Sequence, residues 1–235
     1  MTPVFPLGVK KDLDVEPREL PSLPSFELDQ LMNAIEATTD KAPRFATEFP
    51  AHLDPADVAF KLAGAGGDGA QTAALLIARA AINEGYDATH IPSYGPESRG
   101  GTSYADVHIA REEVLSPASP HPHVLVAFNA PSLAKFGPQV AAGGTVLYDS
   151  SVIAEPPPLA PGVRVIGVPF TRIATDLGRV VVKNVVALGA LCAATGVFPE
   201  ETLLTAIRQA LKSKCALIPL NEEAFAWGVK SVKGL

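Results

Sequence analysis

Cysteine, histidine and basic charge are all scarce in this chain, and each scarcity excludes a class of function. Its two cysteines, Cys192 and Cys215, are too few and too far apart for a CxxC-type set. They cannot hold an iron–sulfur cluster alone, so both read as buried thiols. The five histidines give no metal constellation. His121 and His123 form an HPH pair without a third ligand and read as loop and strand, His90 and His108 fall within strands, and His52 lies near the N-terminus. No Ser-His-Asp order suggests a hydrolase. With 19 basic against 25 acidic side chains the net charge is −6, which gives no basic field for nucleic acid. No apolar run approaches the roughly 20 residues of a membrane span, and "MTPVFPLGVKKDLDV" lacks the apolar core of a signal peptide. The expected location is the cytoplasm.

What the sequence has in quantity is proline, glycine and aliphatic surface. Of 235 residues, 47% are apolar, enough for one substantial core. Residues 1–55 form a proline-rich arm with one plausible helix, "SFELDQLMNAIEAT", capped by Ser25. Such a segment cannot make its own core. Its apolar residues, Phe5, Leu20, Phe26, Leu31 and Phe45 among them, are expected to lie across a neighbouring subunit.

Residues 56–235 read as a Rossmann-like α/β domain, an open, mostly parallel sheet flanked by helices. Strands are expected at "VAFKLAG", "DATHIPSY", "TSYADVHIA", "HVLVAFN" (ending at Asn129), "GGTVLYDSS" and "VRVIGVPF". A helix from Gly69 to Glu84 carries Ala73, Leu76, Ile77 and Ala80 on one face, and another surrounds "SLAKFGPQV". "GRVVVKNVVALGALCAATG" reads as a long buried helix closed by Gly196, and Pro199-Glu200-Glu201 opens the next. Leu203, Leu204, Ile207 and Leu211 give that helix its inward face, and "NEEAFAWGVKSV" makes a last helix with Trp227; these residues read as core.

The candidate site begins at "GAGGDGA". Gly64, Gly66 and Gly69 satisfy GxGxxG after a strand and before a helix, a turn that lets a pyrophosphate approach a helix N-terminus. A dinucleotide site also wants an acid at the end of the second strand, and here only Glu97 follows, behind a proline. Gly67-Asp68-Gly69 resembles the start of a thiamine-diphosphate motif, but Asn83 comes too early and Asn129 too late to complete it. Asp68 at a helix start is stabilised by the helix dipole without any ligand.

A second stretch decides among these readings. "YGPESRGG", Tyr94 to Gly101, is a loop by its glycines and proline, yet it carries a Tyr, an acid and an Arg. Together with the glycine turn about 30 residues earlier, it resembles the γ subunit or γ domain of the 2-oxoacid:ferredoxin oxidoreductases, which carry GxGGQG and then YGPExRGG. The resemblance runs from Val58 to Gly196 and takes in Ser116-Pro117, Val124–Asn129, Gly143–Ser151, Val168–Gly178 and Asn184. Asp68 stands where that family usually has Gln, and the arm has no counterpart in the short γ subunits.

The resemblance implies a part of a machine that oxidatively decarboxylates a 2-oxoacid to an acyl-CoA and passes out two electrons singly. This chain would hold no cofactor alone. Thiamine diphosphate, Mg and iron–sulfur clusters would sit in α, β and ferredoxin-like δ partners, with coenzyme A as co-substrate and ferredoxin or NAD as acceptor. The γ part would be structural, inactive alone, and would help shape the CoA region. A stand-alone NAD(P)- or nucleotide-binding oxidoreductase is the alternative.

Binding residues follow from the two loops. Arg99 offers a planar fork to a carboxylate or phosphate, or else pairs with Glu97 to hold its own loop. Gly100 and Gly101 let backbone N–H groups approach an anion. Gly64, Gly66, Gly67 and Gly69 are expected at the carboxyl ends of the strands, with Thr171 and Arg172 after the last strand at that same end. A side chain at Gly66 is expected to be damaging if the turn needs a positive φ there. No residue is expected to transfer protons.

Overall fold

The structure is a computed structural model and describes residues 57–93 and 102–234, all within one compact unit spanning 43–235. The arm, its helix and the Tyr94–Gly101 loop lie outside the described residues.

Six strands form one sheet: β1 (Asp57–Ala65), β2 (Asp87–Ser93), β3 (Thr102–Ala110), β4 (Val124–Ala127), β5 (Thr145–Asp149) and β6 (Arg164–Val168). Their order is β2-β3-β1-β4-β5-β6. β1, β4, β5 and β6 pair in parallel, whereas β3 is antiparallel to both β1 and β2. β3 alone runs against the rest, so the sheet is mixed and mostly parallel. The short link between β2 and β3 explains this, because a parallel return needs a crossover of about a dozen residues or more.

Period-two alternation makes the two faces. Val58, Phe60 and Leu62 of β1, with Ala105, Val107 and Ile109 of β3, join the large core; Ala63, Leu125, Ala127 and Val146 join a smaller one opposite. The smaller face is covered by α2 (Ala130–Phe136) through Leu133 and Phe136. The larger packs against α1 (Ala70–Asn83), α3 (Phe170–Asp176), α4 (Lys183–Thr195), α5 (Glu200–Ala210) and α6 (Ile218–Lys233).

α1 buries Ala73, Leu76, Ile77 and Ala80, the face its periodicity predicts. α4 is buried almost all round and ends on Gly196 at φ +61°, the left-handed cap that only glycine takes without strain. α4 and α6 pack backbone to backbone. A Cβ on Gly189 would lie 2.1 Å from the Phe225 carbonyl oxygen, and one on Gly228 would lie 2.0 Å from that of Val186.

Four expectations are corrected. The long helix starts at Lys183 rather than Gly178, after a 3-10 turn at Val180–Val182. β4 stops at Ala127, and Asn129 caps α2 by accepting from the Ser132 N–H at 2.9 Å. Trp227 is 41% exposed, with the Lys230 ammonium 4.6 Å from its ring. Cys215 is exposed, whereas Cys192 is buried and donates to the Phe198 carbonyl.

Candidate functional site

β1, β4, β5 and β6 end at one edge of the sheet. β2 ends there too and β3 begins there, because Ala65 faces Thr102 and Ser93 faces Tyr104 in the ladders. Ser93 and Thr102 therefore stand at the sheet edge where β1 leads into the glycine turn.

The turn is built by its own residues. Ala65 and Asp68 are closed by an Asp68 N–H to Ala65 carbonyl bond of 3.1 Å, and the Asp68 carboxylate accepts from the Ala65 N–H at 2.6 Å. Positive φ occurs at Gly67 (+101°) and Gly69 (+83°), so the demand for glycine falls there and not at Gly66. Gly69 is doubly required, since a Cβ would also lie 2.8 Å from the Asn184 side chain. Gly64 is buried in β1 against Asp68 and Phe128 and plays a packing role.

The Asp68 carboxylate does not cap α1, whose N-cap is Gly69 without a side-chain bond. It turns instead to Lys183, at 2.7 Å, with only 16% and 13% of the two side chains exposed. The charge expected to rest on the helix dipole thus rests on a nearly buried cation. This pair fixes the turn to the start of α4. The N-cap of α1 makes no side-chain hydrogen bond to the first N–H groups of the helix, and Gly66 and Gly67 just before it are exposed.

A cleft of about 570 Å³ opens at this place. Gly66, Gly67, Gly69, Gln71 and Ser103 line it together with Arg179, Val181, Asn184 and Asn221. Leu76, Leu211, Leu217 and Leu220 supply its apolar surface. Val181 is 70% exposed at the rim. The lining offers amides, hydroxyls, one guanidinium and backbone N–H groups, a set for holding a ligand or partner rather than for acid–base chemistry.

The other predicted residues distribute as follows. Thr171 and Arg172 lie at the expected edge but outside the cleft: the Thr171 hydroxyl and N–H donate to the buried Asp149 carboxylate at 2.5 and 3.1 Å, and the Arg172 N–H donates to Ser151 Oγ at 3.0 Å. Their backbone and hydroxyl groups are engaged in holding α3 onto β5. Glu97, Arg99, Gly100 and Gly101 lie outside the described residues. Asn184, Arg179, Gln71 and Asn221 were missed as site residues, and only the place of Asn184 after the "VPFTRIATDLG" segment hinted at one of them.

The dinucleotide reading meets a topological obstacle. Its ribose-binding acid belongs at the end of the strand that follows α1 and lies parallel beside β1, but here that strand, β2, is separated from β1 by the antiparallel β3 and ends in Ser93. Among the described residues the histidines take part in the fold's own contacts or burial. His123 Nδ1 accepts from the Ala59 N–H at 3.0 Å, His108 contacts Asp57 and the Ser116 carbonyl, and burial pushes His90 below its ordinary pKa. Among the described residues no group of three His, Cys, Asp or Glu side chains could hold a metal, and no helix is long and apolar enough to cross a membrane.

Comparison with known proteins gives concordant matches. The family model for pyruvate ferredoxin/flavodoxin oxidoreductase matches residues 59–231. Ketoisovalerate oxidoreductase subunit VorA of Methanothermobacter thermautotrophicus is 36% identical over 239 residues, covering 98% of this chain and 48% of that protein. The chain thus spans about half of that relative's length, and the alignment runs through the proline-rich arm. The structure of the γ subunit of keto/oxoacid ferredoxin oxidoreductase from Geobacter sulfurreducens aligns with TM-score 0.65 and 31% identity, over 76% of this chain and 99% of that one. The 2-oxoglutarate:ferredoxin oxidoreductase from Magnetococcus marinus, solved with 2-oxoglutarate, coenzyme A and succinyl-CoA, aligns with TM-score 0.70 and 26% identity, over 77% of this chain and 32% of that one.

Proposed function

This chain belongs to the pyruvate ferredoxin/flavodoxin oxidoreductase family, and from that premise we propose that it is the γ unit of a thiamine-diphosphate-dependent 2-oxoacid oxidoreductase, structural and without a reaction centre of its own. The complex decarboxylates a 2-oxoacid, transfers the acyl group to coenzyme A and delivers two electrons singly through iron–sulfur clusters. Thiamine diphosphate, Mg and the clusters belong to α, β and δ partners, and ferredoxin or NAD accepts the electrons in the cytoplasm.

The observation that carries this reading is the cleft, where the glycine turn, the uncapped start of α1 and Arg179 offer anion contacts beside an apolar wall. That combination suits the phosphates and the pantetheine arm of CoA at the border with a partner. Arg99, with Gly100 and Gly101, is assigned a second anion contact by its chemistry, a planar fork beside two glycines. Thr171 and Arg172 contribute by holding α3 at that edge.

Affinity purification of the tagged chain from its native host tests the proposal. It should bring down polypeptides carrying a complete thiamine-diphosphate motif and ferredoxin-type cysteine runs, in a brown complex. A chain that purifies colourless and alone would contradict it. A panel of pyruvate, 2-oxoglutarate, branched-chain and aryl oxoacids then assigns the substrate. Ketoisovalerate comes first, because the alignment with that enzyme's subunit includes the arm.

A further inference from the structure

Gln71 stands in the first turn of α1, two residues after the glycine turn. Its Nε2 donates to the Tyr104 carbonyl at 2.7 Å and to the Ser93 carbonyl and Ser103 Oγ at 3.1 Å each. Ser93 is the last residue of β2, and Ser103 and Tyr104 open β3. These strands have backbone partners along their ladder but frame a connection at this end, so the amide supplies donors where the ladder stops. Two hydrogens shared among three acceptors also fix the amide's orientation. Gln71 and Ser103 both line the cleft. One side chain therefore ties the helix that carries the glycine turn to both strands that carry the second loop.

We propose that Gln71 is a positioning residue for coenzyme A, one that holds the glycine turn and the adjoining ends of β2 and β3 in a fixed spacing along one wall of the cleft. This rests on the γ-unit reading. Neither Leu nor Glu can replace the tie. Leu has no donor, and ionised Glu sets an anion against two carbonyl oxygens at unchanged size. Protonated Glu regains a single O–H donor.

The test uses the assembled complex carrying Gln71→Leu or Gln71→Glu. The KM for CoA should rise about five- to tenfold, the loss expected for a hydrogen-bond tie, while kcat at saturating CoA and the KM for the 2-oxoacid stay within about twofold. The Glu defect should shrink, relative to wild type, as the pH falls and the carboxyl, pushed above its ordinary value by partial burial and the facing carbonyl oxygens, takes up its proton. Three results overturn the proposal: an unchanged CoA KM in an intact complex, a parallel loss of CoA use, kcat and 2-oxoacid binding, or failure of both variants to assemble. The γ-unit reading fails separately, by a wild-type complex whose turnover does not require CoA.

Discussion

Lys183→Met isolates the contact that anchors the glycine turn. The ammonium lies 2.7 Å from Asp68 Oδ1, both side chains are more than four-fifths buried, and the carboxylate keeps only the Ala65 N–H once the cation is gone. The gross attraction at that distance and an effective dielectric constant of about 20 is about 6 kcal/mol. Desolvation cancels much of it, yet removing one partner leaves a charge in a place that water barely reaches. A net loss of about 2–3 kcal/mol follows, nearer the low end for buried pairs because some exposure remains. For a domain of this size the melting midpoint should fall by about 4–12 °C. The assay is urea denaturation of wild type, Lys183→Met, Asp68→Asn and the double variant. The single losses should exceed additivity in the cycle by about 1.5–3 kcal/mol, with little change on adding salt. A coupling below about 0.5 kcal/mol would refute the argument that this pair fixes the turn.

Gly189→Ala should destabilise the domain by about 3 kcal/mol or more, read from the denaturation midpoint, because the new Cβ meets the Phe225 carbonyl rather than a side chain that could move; a neutral variant would contradict the close packing of α4 on α6. Burial pushes the Cys192 thiol up to about 12, so a thiol reagent at neutral pH should titrate only Cys215 in the folded chain and both thiols after unfolding. Burial lowers the pKa of His90, so the unfolded chain takes up the proton first, and His90 withdraws stability as the pH drops below the ordinary histidine value of about 6.5. His90→Gln should flatten the acid limb of a stability–pH curve just below about 6.5, and an unchanged slope would refute it.

The sequence made the local choices legible and the tertiary ones obscure. α1 was readable from its 3.6 period, the end of α4 from Gly196, and the start of α5 from Pro199 and its two acids. α3 was not, because seven residues after a proline carry too little periodicity to separate a helix from a loop. The reversed direction of β3 was available in principle, since eight residues between β2 and β3 cannot make a parallel crossover. Half of the cleft followed from the glycines at 66, 67 and 69. Arg179, Leu217 and Asn221 arrive from more than a hundred residues away and announce themselves by no motif, and Asn184 was marked only by its place after the "VPFTRIATDLG" segment. Asp68 shows why. Its carboxylate read as a helix-start charge until the fold brought Lys183 beside it.

The central claim is that this chain shapes a reaction it does not itself perform, and dye reduction by the purified chain, with and without its partners, tests that most directly. With 2-oxoacid, CoA, thiamine diphosphate and Mg supplied, the isolated chain should be colourless and reduce no viologen, and the reconstituted complex should reduce it in a CoA-dependent manner. Turnover of a 2-oxoacid by the isolated chain would contradict the account.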